Sequence, residues 1–170
     1  MAKVILTAQL VRELLDYDLE TGIFTRKVRL AQCHQIGDRA DWEIKSGNPS
    51  GYRKVTVDSR SYMAHRVAWL YVYGSWPKHQ IDHINGKRGD NRIANLRDVT
   101  AVVNLQNTRR ARKSSGTGVQ GTAWYPASGK YRAQIRVNGK SKHIGMYATI
   151  EEAHQAFLKA KRKYHEGCTI

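Results

Sequence analysis

An aspartate and a histidine side by side, Asp82-His83, followed by Asn95 and Asn104, are the residues of this 170-residue chain best suited to carry chemistry. Asp82 offers a carboxylate and Asn104 an amide oxygen, both hard donors. Mg²⁺ prefers such oxygens and usually takes only one or two carboxylates from a protein, which leaves room for a phosphate. The His83 imidazole, with an intrinsic pKa near ~6.5, can accept a proton from water near neutral pH. Cutting a phosphodiester needs a nucleophilic water, charge relief on the phosphate and a stabilised leaving oxygen, and one divalent cation supplies the last two. A plainer reading stands beside this one. Asn85, Asn91 and Asn95 all suit ordinary turns, and His83 suits a surface loop. His65, at a helix start, fits a structural role better than a phosphate contact. His34, His79, His154 and His165 show no metal-ligand spacing.

The stretch HRVAWLYVYGSWPKHQIDHINGKRGDNRIANLRDVTAVVNLQN resembles the HNH endonuclease family, particularly its phage and intron-encoded branch. The matching residues are Asp82-His83, Asn95 and Asn104, with the lead-in His65-Arg66 and the phrase DNRIANLR. The preceding residues, from about Leu6, resemble the N-terminal extension of phage members, so the resemblance covers about the first 107 residues. It implies Asp82 and Asn104 as metal ligands, His83 as general base, and Asn95 as a support that holds the loop or orients the imidazole. It implies one Mg²⁺ or Mn²⁺ per site and a ββα-metal (His-Me finger) arrangement of strand, loop, strand and helix. Many members carry a second histidine where this chain has Asn104. An amide oxygen there suits Mg²⁺ or Mn²⁺ better than zinc or nickel.

The elements that must position these residues follow from pattern. Thr7 is a candidate cap for a helix whose apolar face is Leu10, Val11, Leu14 and Leu15. DLETG turns the chain and GIFTRK reads as a short strand. Residues 28–50 have no clear period and are expected to be loop. YRKVTVDSRSYMA reads as a β-hairpin around Asp58-Ser59-Arg60, and AHRVAWLYVYG as a helix stopped by Gly74. Neighbours on an ideal strand face opposite ways, so Asp82 and His83 share a site only if their strand ends and twists at the Asn85-Gly86 turn. Thr100 is a candidate cap for a helix to about Asn107, which carries Asn104.

Charge points to a polyanion partner. Lys and Arg number 29 against 14 Asp and Glu, a net of +15, and residues 108–170 hold 13 basic and 3 acidic of these. Such asymmetry fits nucleic acid. NTRRARKSSGTG is basic, then rich in Ser and Gly, and reads as a linker. Beyond it, three strands with hairpin turns at Ser128-Gly129 and Asn138-Gly139 precede a helix. Thr149 and Glu152 form its capping box, Ala153, Ala156, Phe157, Ala160 and Tyr164 its apolar stripe, and Gly167 its stop.

GVQGTAWY, YRAQIRVNGK and HIGMYATIEEAHQAF resemble the Apetala-two (ethylene-response-factor) DNA-binding domain. That resemblance implies a sheet lying in the major groove with a helix behind it. By period two, Ala133, Ile135 and Val137 should pack on Phe157 and Ala156, while Arg132, Gln134 and Arg136 face DNA. The positions matching the family's DNA contacts are Gln120, Thr122, Trp124, Arg136, Ser141 and His143, although Trp124 equally suits a core. Several replace the family's usual Arg and Trp, so its base preference does not carry over. Arg109, Arg110 and Arg112 in the linker add phosphate contacts.

The expected fold class is α+β. A ββα-metal nuclease domain over 1–107 and a basic linker over 108–115 precede a three-stranded antiparallel sheet packed on one helix over 116–170. The expected function is a metal-dependent DNA endonuclease acting on double-stranded DNA. One metal centre cuts one strand per visit, as a nickase would. The alternative is a non-catalytic DNA-binding regulator with a vestigial nuclease fold. A nucleoid-coating protein would explain the charge but not Asp82, His83, Asn95 and Asn104. No small-molecule substrate is expected. No apolar run approaches the ~20 residues a bilayer crossing needs, and the N-terminus lacks a small-residue cleavage site. A cytosolic protein is expected, in the host cell if phage-encoded, with Cys33 and Cys168 as free thiols.

Overall fold

The computed structural model describes residues 6–29, 31–45 and 51–170. The chain divides into two compact units, Met1–Thr100 and Ala101–Ile170. Among the described residues, no helix is long and apolar enough to cross a membrane.

In the N-terminal unit, the Thr7 hydroxyl caps α1 (Ala8–Leu14) by accepting a hydrogen bond from the Leu10 N–H at 3.2 Å. Leu15, expected on this helix, instead begins β1 (Leu15–Tyr17), which pairs antiparallel with β2 (Phe24–Arg26). Three strand residues are too few to display a period of their own after a helical pattern.

A second departure is β3 (Asp41–Glu43), inside the segment expected to be loop. Its inward residue is charged. The Asp41 carboxylate accepts from the Phe24 N–H at 3.3 Å and from Arg39 Nε at 3.1 Å, and pairs with Arg53. A strand held by an ion cluster leaves no apolar alternation to read. Leu30 and residues 46–50 of that expected loop lie outside the described residues.

Strands β4 (Arg53–Val57) and β5 (Arg60–Met63) complete a sheet of order β3-β4-β5. Asp58 and Ser59 join them with φ of 48° and 59°, the left-handed geometry a two-residue hairpin turn demands. The next element, α2 (Ala64–Tyr73), stops at Gly74. Val11, Leu15, Phe24, Val55 and Val67 are fully enclosed, so α1, the first hairpin, the sheet and α2 share one core. On this base stands the pair β6 (Gln80–His83) and β7 (Leu96–Val99), antiparallel, with a 3₁₀ turn over Ile93–Asn95 leading into β7.

The C-terminal unit opens with α3 (Ala101–Gln106). Strands β8 (Thr122–Tyr125), β9 (Lys130–Val137) and β10 (Lys140–Tyr147) form an antiparallel sheet in which β9 is central. Helix α4 (Ile150–Tyr164) carries the full capping box of Thr149 and Glu152. Ile135, Phe157 and Ala160 form its small core with the sheet.

Gly167 does not close α4, because the chain leaves the helix in extended geometry at His165. Its N–H instead donates to Gln106 Oε1 at 2.9 Å, and a Cβ there would overlap the Val103 carbonyl oxygen. Gly167 is small because α3 lies against it.

Candidate active site

Asp82 and His83 are the last two residues of β6, and both are buried. The strand ends at once: the Gly86 N–H donates to the His83 carbonyl at 2.8 Å. Ile81, Asp82 and His83 are buried in succession, so both sides of this strand end are covered.

Asp82 sits across from Arg97 in the register. Arg97 Nε and Nη2 both donate to Asp82 Oδ2, at 2.9 and 2.7 Å. A buried carboxylate requires such a partner to remain charged.

His83 faces different company. Its Nε2 is 3.1 Å from Asn91 Oδ1. An amide oxygen only accepts, so Nε2 carries the hydrogen and the neutral ring has its lone pair on Nδ1. The His65 ring lies edge-on to His83 at 5.2 Å between centroids, and Tyr52 is tilted against both. Burial holds the His83 pKa below the ordinary imidazole value, Arg88 adds to the lowering, and Asn91, Asp82 and Asp90 oppose it. The imidazole is therefore neutral, in the proton-accepting state, at neutral pH.

His65 is more extreme. It is 7 % exposed, and burial, followed by repulsion from His83 and Arg66, pushes its pKa down to about 3. Its Nδ1 is buried and has no hydrogen-bond partner among the described residues.

Of the two tasks expected of Asn95, the geometry gives it the loop. Asn95 Oδ1 accepts from the Asn85 N–H at 2.9 Å, its Nδ2 donates to the Asp90 carbonyl at 2.8 Å, and its own carbonyl accepts from the Ile84 N–H at 2.9 Å. One side chain thus closes the loop between β6 and β7 at both ends. Asp90 stiffens its middle by accepting from Arg92 Nε and Nη2 and from Asn85 Nδ2.

The residue that touches the imidazole is Asn91, which sequence reasoning left among the turn asparagines. It is 1 % exposed. The available signal was its place in the phrase DNRIANLR, six residues before Arg97. Asn104 lies on α3, within the C-terminal unit.

Residues 62–106 match the family model described as HNH endonuclease. The match covers α2, β6, the loop, β7 and α3, and so includes Asp82, His83, Asn91, Asn95 and Asn104. This similarity supports a nuclease of the HNH type at the level of that segment. No curated protein and no solved structure matches the chain. HNH nucleases generally use a divalent metal ion. Among the described residues no cluster of three or more His, Cys, Asp or Glu side chains is arranged to hold one. Within the matched segment, Asp82 sets a buried carboxylate next in sequence to the His83 imidazole. A carboxylate oxygen is the kind of donor that a hard ion keeping most of its own water takes from a protein.

The C-terminal residues expected to contact DNA divide into two groups. In the register, Arg132 lies opposite Ala123 and Met146, Gln134 opposite His143, and Arg136 opposite Ser141. Arg132, Gln134, Arg136, Ser141 and His143 therefore share one face, with Ala133 and Ile135 buried on the other. Arg136 Nε donates to the Gly139 carbonyl at 2.9 Å, and the Arg132 guanidinium lies 5.9 Å from the centre of the Tyr125 ring.

Thr122 pairs with Ala133 and belongs to the inner face. It is buried, and its hydroxyl bonds to Thr117 Oγ1 at 2.8 Å and to the Val119 carbonyl at 3.1 Å. Trp124 pairs with Tyr131 on that same inner side, the two rings edge-on at 4.8 Å, although its indole remains exposed. Gln120 is occupied too: its Nε2 donates to the Thr108 carbonyl and its Oε1 accepts from Lys161 Nζ. A polar network thus engages Gln120 and Thr122, and the strand register places Thr122 and Trp124 on the face opposite Arg132 and Arg136. Near the start of this unit, Arg110 and Arg112 are exposed, while Arg109 Nη2 donates to Thr169 Oγ1 at 2.9 Å.

Proposed function

We propose that this protein is a metal-dependent DNA endonuclease whose general base is His83. The observation that carries the reading is the state of that imidazole: buried, held neutral, and fixed by Asn91 with its lone pair on Nδ1. A fixed neutral histidine is what removing a proton from an attacking water requires. Asp82 would hold the cation, and the sequence expectation adds the Asn104 amide oxygen as a second donor. The ion, Mg²⁺ or Mn²⁺, would relieve charge on the phosphate and stabilise the leaving oxygen. Asn95 keeps the loop closed so that Asn91 stays on the imidazole.

The substrate is double-stranded DNA, gripped by the C-terminal unit. Three features support this: the resemblance to the Apetala-two domain, the shared face of Arg132, Gln134, Arg136, Ser141 and His143, and the exposed Arg110 and Arg112. Such a face can enter a major groove. The phage and intron-encoded branch, with one strand cut per visit, is the form of HNH enzyme that the sequence favours.

One observation favours the alternative of a DNA-binding protein without catalysis. Arg97 Nε and Nη2 both donate to Asp82 Oδ2, an ion pair that forms without a metal. Supercoiled plasmid incubated with and without Mg²⁺ or Mn²⁺ separates the two readings. Cleavage that requires the cation and disappears in Asp82→Ala, with DNA binding retained, is the expected result. An Asp82→Ala protein that cuts at the native rate refutes the assignment. A native protein that binds but never cuts supports the alternative.

A further inference from the structure

We propose that Tyr17, on the N-terminal hairpin, is a positioning residue for the His83 imidazole and acts through Asn91. The inference rests on reading His83 as the base. It extends the active centre beyond residues 62–106, into a part of the chain outside that match.

The connection is short and enclosed. The Tyr17 hydroxyl donates to the Asn91 carbonyl at 2.5 Å, a bond that spans 74 positions in the sequence, and Asn91 Oδ1 accepts from His83 Nε2 at 3.1 Å. All three residues are buried, so water cannot replace either bond at low cost. The Tyr17 ring is itself immobilised against Phe24, at 4.7 Å between centroids, and Tyr71, at 5.6 Å.

The hairpin also fixes the Asn91 backbone by contact. Gly22 has a φ of +71°, and a Cβ on it would overlap the Arg92 nitrogen and lie 2.5 Å from the Asn91 carbonyl carbon. Only a glycine lets the hairpin turn press this closely. Asn91 is thus held on its carbonyl by Tyr17 and along its backbone by Gly22. From that fixed backbone its side chain reaches the imidazole.

A residue that merely stabilised the fold would not select a tautomer. If the Asn91 amide loses its aim, Nε2 loses its acceptor and the ring can carry its hydrogen on Nδ1, the atom that must accept the proton. The ring nitrogen shifts of His83 read this directly. In the full-length protein at pH 8, long-range ¹H–¹⁵N spectra should show His83 as a single Nε2–H tautomer.

Asn91→Ala should populate both tautomers and lower kcat on plasmid DNA about 10- to 100-fold, the usual cost of losing a partner that orients a functional histidine, with KM unchanged. Tyr17→Phe should produce the same mixture in smaller proportion, with a smaller loss of kcat. Tyr62→Phe removes the hydroxyl of a partly buried ring of the same unit, one stacked on Trp76, and should change neither. A wild-type His83 found as the Nδ1–H form, or a Tyr17→Phe protein indistinguishable from Tyr62→Phe, overturns the proposal. If the wild type does not cut DNA, the nuclease reading fails, and the tautomer spectra still decide whether Tyr17 and Asn91 hold the ring.

Discussion

The buried His65 makes the stability of the N-terminal unit sensitive to mild acid. Its pKa falls from an ordinary value of 6.5 to about 3 on folding, because burial next to His83 and Arg66 disfavours the charged ring. A depressed histidine pKa means that the unfolded chain binds a proton the folded chain refuses. Stability is therefore full above about pH 6.5 and declines as pH falls toward 3. At pH 5, about 1.5 pH units below the unfolded pKa, the penalty is about 2 kcal/mol at 1.36 kcal/mol per unit. That is a large fraction of the ~5–15 kcal/mol that holds a typical domain together. Urea unfolding at pH 7.5 and 5.0, followed by tryptophan fluorescence, measures it, since Trp42, Trp69 and Trp76 all belong to the N-terminal unit. His65→Phe keeps a ring and removes the titration, so it should lose about 2 kcal/mol less than the wild type between the two pH values. Equal losses in the two proteins, or a His65 titration midpoint near 6.5 by NMR, would refute the reasoning.

Three further outcomes follow from the geometry. His83→Ala should lower the cleavage rate by ~10²–10⁴, and because burial lowers the pKa of His83, the acid limb of the wild-type rate profile should lie below pH 6.5; a limb above that value argues against this base. Lys161→Met removes the buried ammonium that donates to the Thr108 carbonyl at 2.6 Å, and thermal unfolding should reveal a cost of about 1–3 kcal/mol for the carbonyl left without its donor. Replacing Arg110, Arg112 and Lys113 by alanine should weaken DNA binding for every sequence and flatten the salt dependence, the slope falling by roughly one for each phosphate no longer neutralised; Arg136→Ala should instead reduce the preference among sequences, and a titration series in rising salt separates the two effects.

The parts of the molecule legible in the sequence were those written locally. Thr7 and Thr149 announce their helices through caps, Gly74 stops α2, and the alternation of Ala133 and Ile135 with Arg132, Gln134 and Arg136 gives the faces of β9. Asp82 and His83 were legible as a pair, and the abrupt strand end that lets both be buried follows from the Asn85-Gly86 turn.

What escaped depends on residues distant in sequence. Asn91 looks like any turn asparagine until Tyr17 and Gly22 arrive from the N-terminal hairpin. Strand β3 is invisible because its inward residue is Asp41, paired with arginines. Thr122 matched a contact position of a resembling family, yet Thr117 draws it inward. Lys161 has the composition of a surface residue, yet it is 1 % exposed and bonded to the Thr108 carbonyl.

The way the C-terminal unit closes on itself bears on how such a unit can be moved between proteins. Gly167 donates to Gln106, Thr169 Oγ1 donates to Asn107 Oδ1 at 2.5 Å, and Arg109 reaches back to Thr169. The segment that enters the unit and the segment that leaves it are therefore stitched side by side. Units whose entry and exit lie together tolerate insertion into a host loop and circular permutation, because either operation leaves the interior connectivity intact. The stitching also sets the smallest transferable piece. It must begin at α3, since a graft starting at Gly116 would strip Lys161 and Gly167 of the partners that Thr108 and Gln106 provide. Carried from Ala101 onward, the sheet and helix travel with the bonds that Gln106, Asn107, Thr108 and Arg109 make to α4 and to the segment after it.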